Sequence, residues 1–154
     1  MISERSAQVS KQNIDSKNYR SFLVDISREG WFCHIEDEII PIDKNDFTVT
    51  FKGEKVSFDG VFCAIHGTPG EDGKIQGYFD SIGIPYNNCG VLASALTFDK
   101  AACNRYLSAS GVKVAKSYLA RLGTENDPKA IIDRVGLPCF VKPNDGGSDR
   151  KEHV

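Results

Sequence analysis

A short apolar run that leads directly into a glycine-rich polar loop constrains this chain more than any other feature. Residues 61–65 are all apolar, which is the length and type of a strand buried on both faces. The next eight residues, 66–73, contain an imidazole, two carboxylates and three glycines. Open α/β folds keep their ligand sites in loops at the carboxyl ends of such strands. The sequence therefore predicts that the chemistry of this chain lies in the loop.

The residues after the loop predict a helix and then a second extended segment. We predict a helix over residues 74–82, where Ile75, Tyr78, Phe79 and Ile82 recur with the spacing of one helical face and Gly83 stops the helix. A brief extended piece follows at 84–86. Strand, loop, helix and extended segment in this order form a βαβ unit, so we expect an α/β fold with a parallel sheet and a right-handed crossover.

The rest of the chain is divided near residue 100 into two structural units. Before it we predict a helix over 3–13 with Ser3 as its N-cap, and strands at 21–26, 31–35 and 47–51. After it we predict a helix over 97–110 that begins at Thr97 or Asp99, a strand at 113–120, a helix at 127–135 and a strand at 138–143.

Composition and charge narrow the class of protein. The net charge is −2 over 154 residues and the basic residues are scattered, which argues against nucleic acid or an anionic membrane as partner. Five cysteines without a CxxC pair are typical of buried thiols in a reducing compartment. No apolar stretch approaches the roughly 18 residues of a membrane span. We therefore expect a cytoplasmic protein that binds a small ligand.

The imidazole and carboxylates of the loop have two interpretations. Glu71 or Asp72 could orient His66 and fix its tautomer, and such a pair could hold a small carboxylate or move a proton. Alternatively, the two acids only stabilise the positive N-terminal end of the following helix. Residue types alone leave both interpretations open.

Two further segments each contain a lysine at a position where it could bind a phosphate. Lys142 ends an apolar stretch and is followed by a polar Gly-Gly-Ser turn, whose backbone N–H groups could bind phosphate oxygens. The turn could equally be inert. Asp99 followed by Lys100 is, on spacing alone, a helix N-cap followed by a solvated lysine.

Taken together, these motifs resemble the D-alanine-D-alanine ligases of the ATP-grasp superfamily. The match runs in unbroken order from about residue 2 to 148, and Ser3 and Ser6 fit the serine pair of the first helix in that family. The matching segments are 66–77, 83–86, 90–96, 99–100, 137–143 and 147–148.

The resemblance implies a ligase that joins two D-alanines through a D-alanyl phosphate, using ATP and Mg²⁺ or Mn²⁺, for peptidoglycan precursor synthesis. By motif match, His66 and Glu71 would bind the first D-alanine. Lys100 and Lys142 would contact the ATP phosphates, and Ser148 would belong to the catalytic loop. No metal ligand of the family falls within the matched segments.

The resemblance also implies a domain organisation and a shortened chain. Residues 1–99 would form a Rossmann-like pre-ATP-grasp domain lacking its first strand, residues 100–148 the start of an ATP-grasp domain, and residues 149–154 a divergent tail. We expect a truncated or frame-shifted product that is inactive alone, with a homodimer through the first domain. The alternatives are a non-catalytic D-alanine-binding module and a D-alanine-D-lactate ligase fragment.

Overall fold

The computed structural model describes residues 2–146, which combine helices and strands. The helices in this range are α1 (Ile2–Asn13), α2 (Lys74–Ile82), α3 (Val91–Phe98), α4 (Lys100–Ala109) and α5 (Pro128–Val135). The strands are β1 (Leu23–Ile26), β2 (Trp31–Ile35), β3 (Glu38–Pro41), β4 (Val49–Phe51) and β5 (Glu54–Val56). The mixed α/β class expected from the sequence is therefore confirmed.

The described strands form antiparallel sheets. A three-stranded sheet has the order β1-β2-β3, and β4 pairs with β5 as a separate hairpin. The strands alternate as a half-buried sheet requires: Cys33 and Ile35 are buried on β2, and Val49 and Phe51 are buried on β4 with Thr50 exposed between them. The strands predicted at 31–35 and 47–51 are thus found, the second of them in shortened form.

Helix α2 closes the core over these sheets. Its bounds are those the sequence predicts, and Ile75 and Phe79 are buried on the predicted face. Phe79 meets Phe47 edge to face with ring centroids 5.1 Å apart, and Tyr78 meets Trp31 in the same way at 4.9 Å. The core therefore anchors α2, the helix that follows the polar loop.

Helices α4 and α5 each begin at an aspartate whose side chain caps the helix N-terminus. Asp99 accepts a hydrogen bond from the backbone N–H of Ala102 at 2.8 Å, and Asp127 caps α5 in the same manner. The N-cap interpretation of Asp99 is therefore confirmed, and α5 matches the helix predicted at 127–135. Helix α3 was not predicted, because its Val-Leu-Ala-Ser-Ala-Leu sequence has no clear apolar face.

The parallel sheet expected at 61–65 is not formed among the described residues. Val61 makes one parallel bridge with Tyr86, and Phe62 is 61% exposed. Residues 63–65 have no backbone ladder partner within the described range, although Cys63 N donates to the side chain of Asn87 at 2.8 Å. An apolar run becomes a strand only where a neighbouring strand satisfies its backbone, and within residues 2–146 the bridge to Tyr86 is the one such pairing of this run.

Two other predicted strands, at 113–120 and 138–143, are wrong for the same reason. Neither segment pairs with another described segment, and Phe140 and Val141 are more than 70% exposed. The expectation of buried thiols is wrong in part, because Cys89 and Cys139 are exposed, whereas Cys33 is buried. None of the described helices is long and apolar enough to cross a membrane.

Candidate ligand cleft

The loop over 66–73 is closed by reciprocal hydrogen bonds between its two ends. The backbone N–H of Gly67 donates to Oε2 of Glu71 at 2.7 Å, and the backbone N–H of Glu71 donates to the carbonyl of Gly67 at 2.8 Å. Gly67 has φ of +71°, a left-handed conformation that favours glycine. Glu71 thus stabilises the loop itself, in addition to any contact with a ligand.

His66 lies between helix α1 and the carboxylate of Glu71. Its Nδ1 is 3.8 Å from Oε1 of Glu71, and its Nε2 is 3.3 Å from Oγ of Ser6. The backbone N–H of His66 donates to Oγ of Ser3 at 3.1 Å. The prediction that Ser3 is the N-cap of α1 is wrong, because α1 begins at Ile2 and Ser3 lies within the helix, where its hydroxyl accepts a hydrogen bond from the loop.

Asp72 takes the helix-capping role that the sequence left open for both acids. Its carboxylate accepts hydrogen bonds from Oγ1 of Thr68 at 2.8 Å and from the backbone N–H of Lys74, and it also pairs with the Lys74 ammonium. Burial raises the pKa of the Asp72 carboxyl, but the hydrogen bonds from Lys74 and Thr68 outweigh burial and lower its pKa overall. Asp72 therefore has a structural role at the start of α2.

A cleft of about 470 Å³ lies where the loop, α3 and the start of α4 meet. Glu71 and Gly70 line it from the loop side, and Lys100 lines it from α4. The cleft thus brings together a carboxylate and an ammonium from segments about thirty residues apart. The other lining residues are Asn87, Asn88, Cys89, Ser94, Thr97, Phe98 and Gly146.

Lys100 connects the cleft to the segment that leads toward the Gly-Gly-Ser turn. Its Nζ donates to the carbonyl of Gly146 at 3.0 Å, and its backbone N–H donates to the carbonyl of Asn144 at 3.0 Å. The side chain of Asn144 accepts from the backbone N–H of Ala101 at 2.9 Å. Lys100 is therefore half-buried and held in place at both its ammonium and its backbone N–H.

The remaining predicted site residues lie outside this arrangement. Lys142 is exposed, and its Nζ lies 5.8 Å from the centroid of the Phe140 ring; it is not among the residues that line the cleft. Ser148 falls outside the described residues. The structure thus brings together Glu71 and Lys100, with His66 beside Glu71.

The sequence analysis did not predict the cleft residues Asn87, Asn88 and Cys89, which precede α3, nor Ser94, Thr97 and Phe98 within it. Asn87 accepts from the backbone N–H of Cys63, and Asn88 donates to the carbonyl of Gly70 at 3.2 Å. These two amide side chains therefore connect the segment before α3 to the loop and to the apolar run that precedes the loop. The only local signal is two successive amides before Gly90, a pattern that is also common in inert turns.

A divalent metal has no suitable set of ligands in the described part of the chain. No group of three His, Cys, Asp or Glu side chains within residues 2–146 is arranged to hold one. The resemblance of the sequence motifs implied Mg²⁺ or Mn²⁺, which in phosphoryl transfer bridges the phosphates. The residues present here do not fit that metal.

The fold and the loop define a member of a known family. The family model described as D-ala D-ala ligase N-terminus matches residues 1–89, and the chain belongs to this family. Among curated proteins, the D-alanine--D-alanine ligase of Bacteroides fragilis is 47% identical over 149 residues, covering 96% of this chain and 46% of the relative. The chain therefore spans about half the length of the curated relatives it matches.

Solved structures of such ligases have a similar fold. The D-alanine-D-alanine ligase of Coxiella burnetii matches with a TM-score of 0.82 and 26% identity, covering 96% of this chain and 50% of that chain. The Bacillus anthracis D-alanine--D-alanine ligase complexed with ATP matches with a TM-score of 0.51 and 34% identity, covering 58% of this chain and 30% of that chain.

Proposed function

We propose that this chain supplies the D-alanine-binding part of an ATP-dependent D-alanine-D-alanine ligase. In the reaction, the carboxylate of one D-alanine takes the γ-phosphoryl group of ATP, and the amine of a second D-alanine displaces the phosphate to form the dipeptide. The observation that carries the proposal is the cleft, where Glu71 and Lys100 face a common space. Membership of the ligase family supports it.

The charges of the cleft suit the two substrates. D-alanine has an ammonium that the Glu71 carboxylate can attract, and ATP has phosphates that the fixed Lys100 ammonium can attract. His66, beside Glu71, contributes a polar edge at 38% side-chain exposure. By the resemblance, Lys142 and Ser148 would also belong to the phosphate side of the proposed site; the chain between them contains Gly146, whose carbonyl accepts a hydrogen bond from Lys100.

The wider assignments belong to the same proposal. The first domain would extend over residues 1–99 and the start of the ATP-grasp domain over 100–148, with a parallel sheet completed by segments that the described residues do not contain. A cytoplasmic location and a homodimer through the first domain follow from the family resemblance. ATP and Mg²⁺ or Mn²⁺ would be the cofactors of the full-length ligase, since the matched segments of this chain hold none of the family's metal ligands.

Calorimetric titration of the 154-residue protein with D-alanine tests the binding half of the proposal. We expect binding of D-alanine at millimolar concentration, weaker binding of L-alanine, and at least tenfold loss in Glu71→Gln, because the variant removes the charge that faces the ligand ammonium. Glu125→Gln, which removes an exposed carboxylate far from the loop in sequence, is the matched control. No heat and no thermal shift with D-alanine would reject the proposal.

A coupled assay for ADP release tests the catalytic half. The described residues offer no metal site, so we expect no D-alanine-dependent turnover by this chain with ATP and Mg²⁺. Turnover would contradict that expectation. Binding of D-alanine without turnover fits both a ligase part and a binding module. ATP binding that requires Lys100 separates the two, since a pure D-alanine-binding module has no need of it.

A further inference from the structure

Helix α1 turns a face of small side chains toward the rest of the molecule. Ser3, Ser6, Ala7 and Ser10 recur at helical spacing and are half-buried, whereas Val9 on another face is 58% exposed. A helix that packs only by the hydrophobic effect would bury its large apolar residues on this face. Two of these small residues instead present hydroxyls to the polar loop.

These two hydroxyls contact the same residue at two different atoms. Oγ of Ser3 accepts from the backbone N–H of His66 at 3.1 Å, and Oγ of Ser6 lies 3.3 Å from Nε2 of the His66 ring. On the opposite side of the ring, Nδ1 is 3.8 Å from the Glu71 carboxylate. Both the backbone and the imidazole of His66 are thus held from α1.

The chemistry of the two neighbours favours one tautomer. An ionised carboxylate can only accept hydrogen bonds, so the ring nitrogen that faces Glu71 is best protonated. A hydroxyl can donate, so Ser6 can supply its proton to an unprotonated Nε2. For the neutral ring, the arrangement therefore favours the tautomer of His66 that carries its proton on Nδ1.

We propose that Ser3 and Ser6 are positioning residues that fix the place and the tautomer of His66. Ser3 holds the backbone of the loop where it leaves residue 65, and Ser6 holds the ring against Glu71. The importance of this for D-alanine rests on the proposed function, in which Glu71 lines the amino-acid side of the cleft and His66 lies beside Glu71. The state of the His66 ring itself does not depend on that function.

Nitrogen-15 NMR of the histidine rings tests the inference in the full 154-residue protein, at pH 8.5, where histidine side chains are ordinarily neutral. The chain contains three histidines, at 34, 66 and 153, so single substitutions of the other two assign the signals. His34 is an internal reference for the other tautomer, the one protonated on Nε2, because its Nε2 faces the Asp25 carboxylate at 2.6 Å. We expect His66 to carry its proton on Nδ1.

Substitutions on α1 then separate positioning from folding. Ser6→Ala should shift His66 toward a mixture of tautomers, and Ser6→Thr, which keeps the hydroxyl, should restore the wild-type signals. Ser3→Ala should make the His66 amide exchange with solvent about tenfold faster, as expected for the loss of one hydrogen bond. Ser10→Ala is the matched control, since the Ser10 hydroxyl donates within α1 itself, to the carbonyl of Ser6 at 2.9 Å.

The outcomes distinguish the two proposals. A wild-type His66 protonated on Nε2, or signals that Ser6→Ala leaves unchanged, would overturn the positioning role. If the tautomer shifts as expected, D-alanine affinity should fall about tenfold in Ser6→Ala and stay unchanged in Ser10→Ala. A wild-type protein that shows the expected tautomer but binds no D-alanine would reject the proposed function and leave the positioning role standing.

Discussion

Replacement of Gly70 by alanine should be the most damaging single-methyl change in the ligand loop. Gly70 is buried, and a Cβ atom built on it would lie 2.3 Å from the carbonyl oxygen of Ile65 and 2.6 Å from its Cβ. Both atoms belong to the rigid part of Ile65 and cannot rotate away. The loop and the segment before it must therefore separate.

The size of the effect follows from what that separation breaks. Forcing a methyl group into a closely packed site costs about 1–3 kcal/mol. The carbonyl of Gly70 also accepts hydrogen bonds from Gln76 at 2.7 Å and Asn88 at 3.2 Å, each worth about 1 kcal/mol if lost. We expect a decrease of about 3 kcal/mol in the free energy of unfolding. For a protein of this size, that corresponds to a decrease of roughly 10 °C in Tm.

Urea unfolding followed by fluorescence measures this directly. Trp31 is the single tryptophan and lies against the core through Tyr78, so its emission reports the transition. Gly90→Ala is the matched control, because a Cβ there meets no atom within 4 Å and its φ of −65° suits alanine. We expect the control to change stability by less than about 1 kcal/mol. Equal midpoints for Gly70→Ala and Gly90→Ala would refute the steric reasoning.

Three further outcomes can be measured on the same protein. Folding lowers the pKa of Asp72, so its carboxylate stabilises the fold above the unfolded pKa near 4, and this contribution is lost as pH falls through the folded pKa. Asp72→Asn should therefore lower the free energy of unfolding by about 1 kcal/mol at pH 7, measured by urea melts. The difference from wild type should shrink below about pH 4. Asp99→Ala should cost about 1 kcal/mol through loss of the cap on α4, measured by thermal denaturation, and an unchanged Tm would contradict the capping role. Exposed Cys89 should react with a thiol reagent well before Cys33, whose pKa burial raises, and equal rates by mass spectrometry would count against the burial of Cys33.

Local patterns of the sequence predicted the elements that local chemistry controls. The spacing of Ile75 and Phe79 predicted α2 to the residue, and Asp99 and Gly83 were placed correctly as helix ends. Helix periodicity and capping depend on residues within about one turn of each other, so they can be read from the chain itself. The loop motif at 66–73 likewise led to the ligase family.

The candidate site was predicted in its residue types but not in its contacts. The sequence predicted that Glu71 would lie near His66, as it does. It did not predict the hydrogen bond from the backbone N–H of Gly67 to Glu71, which closes the loop. The hydroxyls of Ser3 and Ser6 reach His66 from about sixty residues away, and no spacing rule detects such a contact. The resemblance assigned Lys100 to the ATP phosphates. Its hydrogen bond to the carbonyl of Gly146 is visible only in the structure.

The sequence by itself determined the family, the helix α2 with its buried face, and the polar loop that precedes it. Only the tertiary structure decided which apolar runs become strands, because a strand exists through the hydrogen bonds of a neighbour that can lie anywhere in the chain. Residues 61–65 and 138–143 are apolar enough for strands. Among the described residues, however, the first segment makes a single parallel bridge, from Val61 to Tyr86, and the second makes none. The cleft that brings Glu71 to Lys100 is equally a product of packing, since it is formed by segments that meet only after the chain has folded.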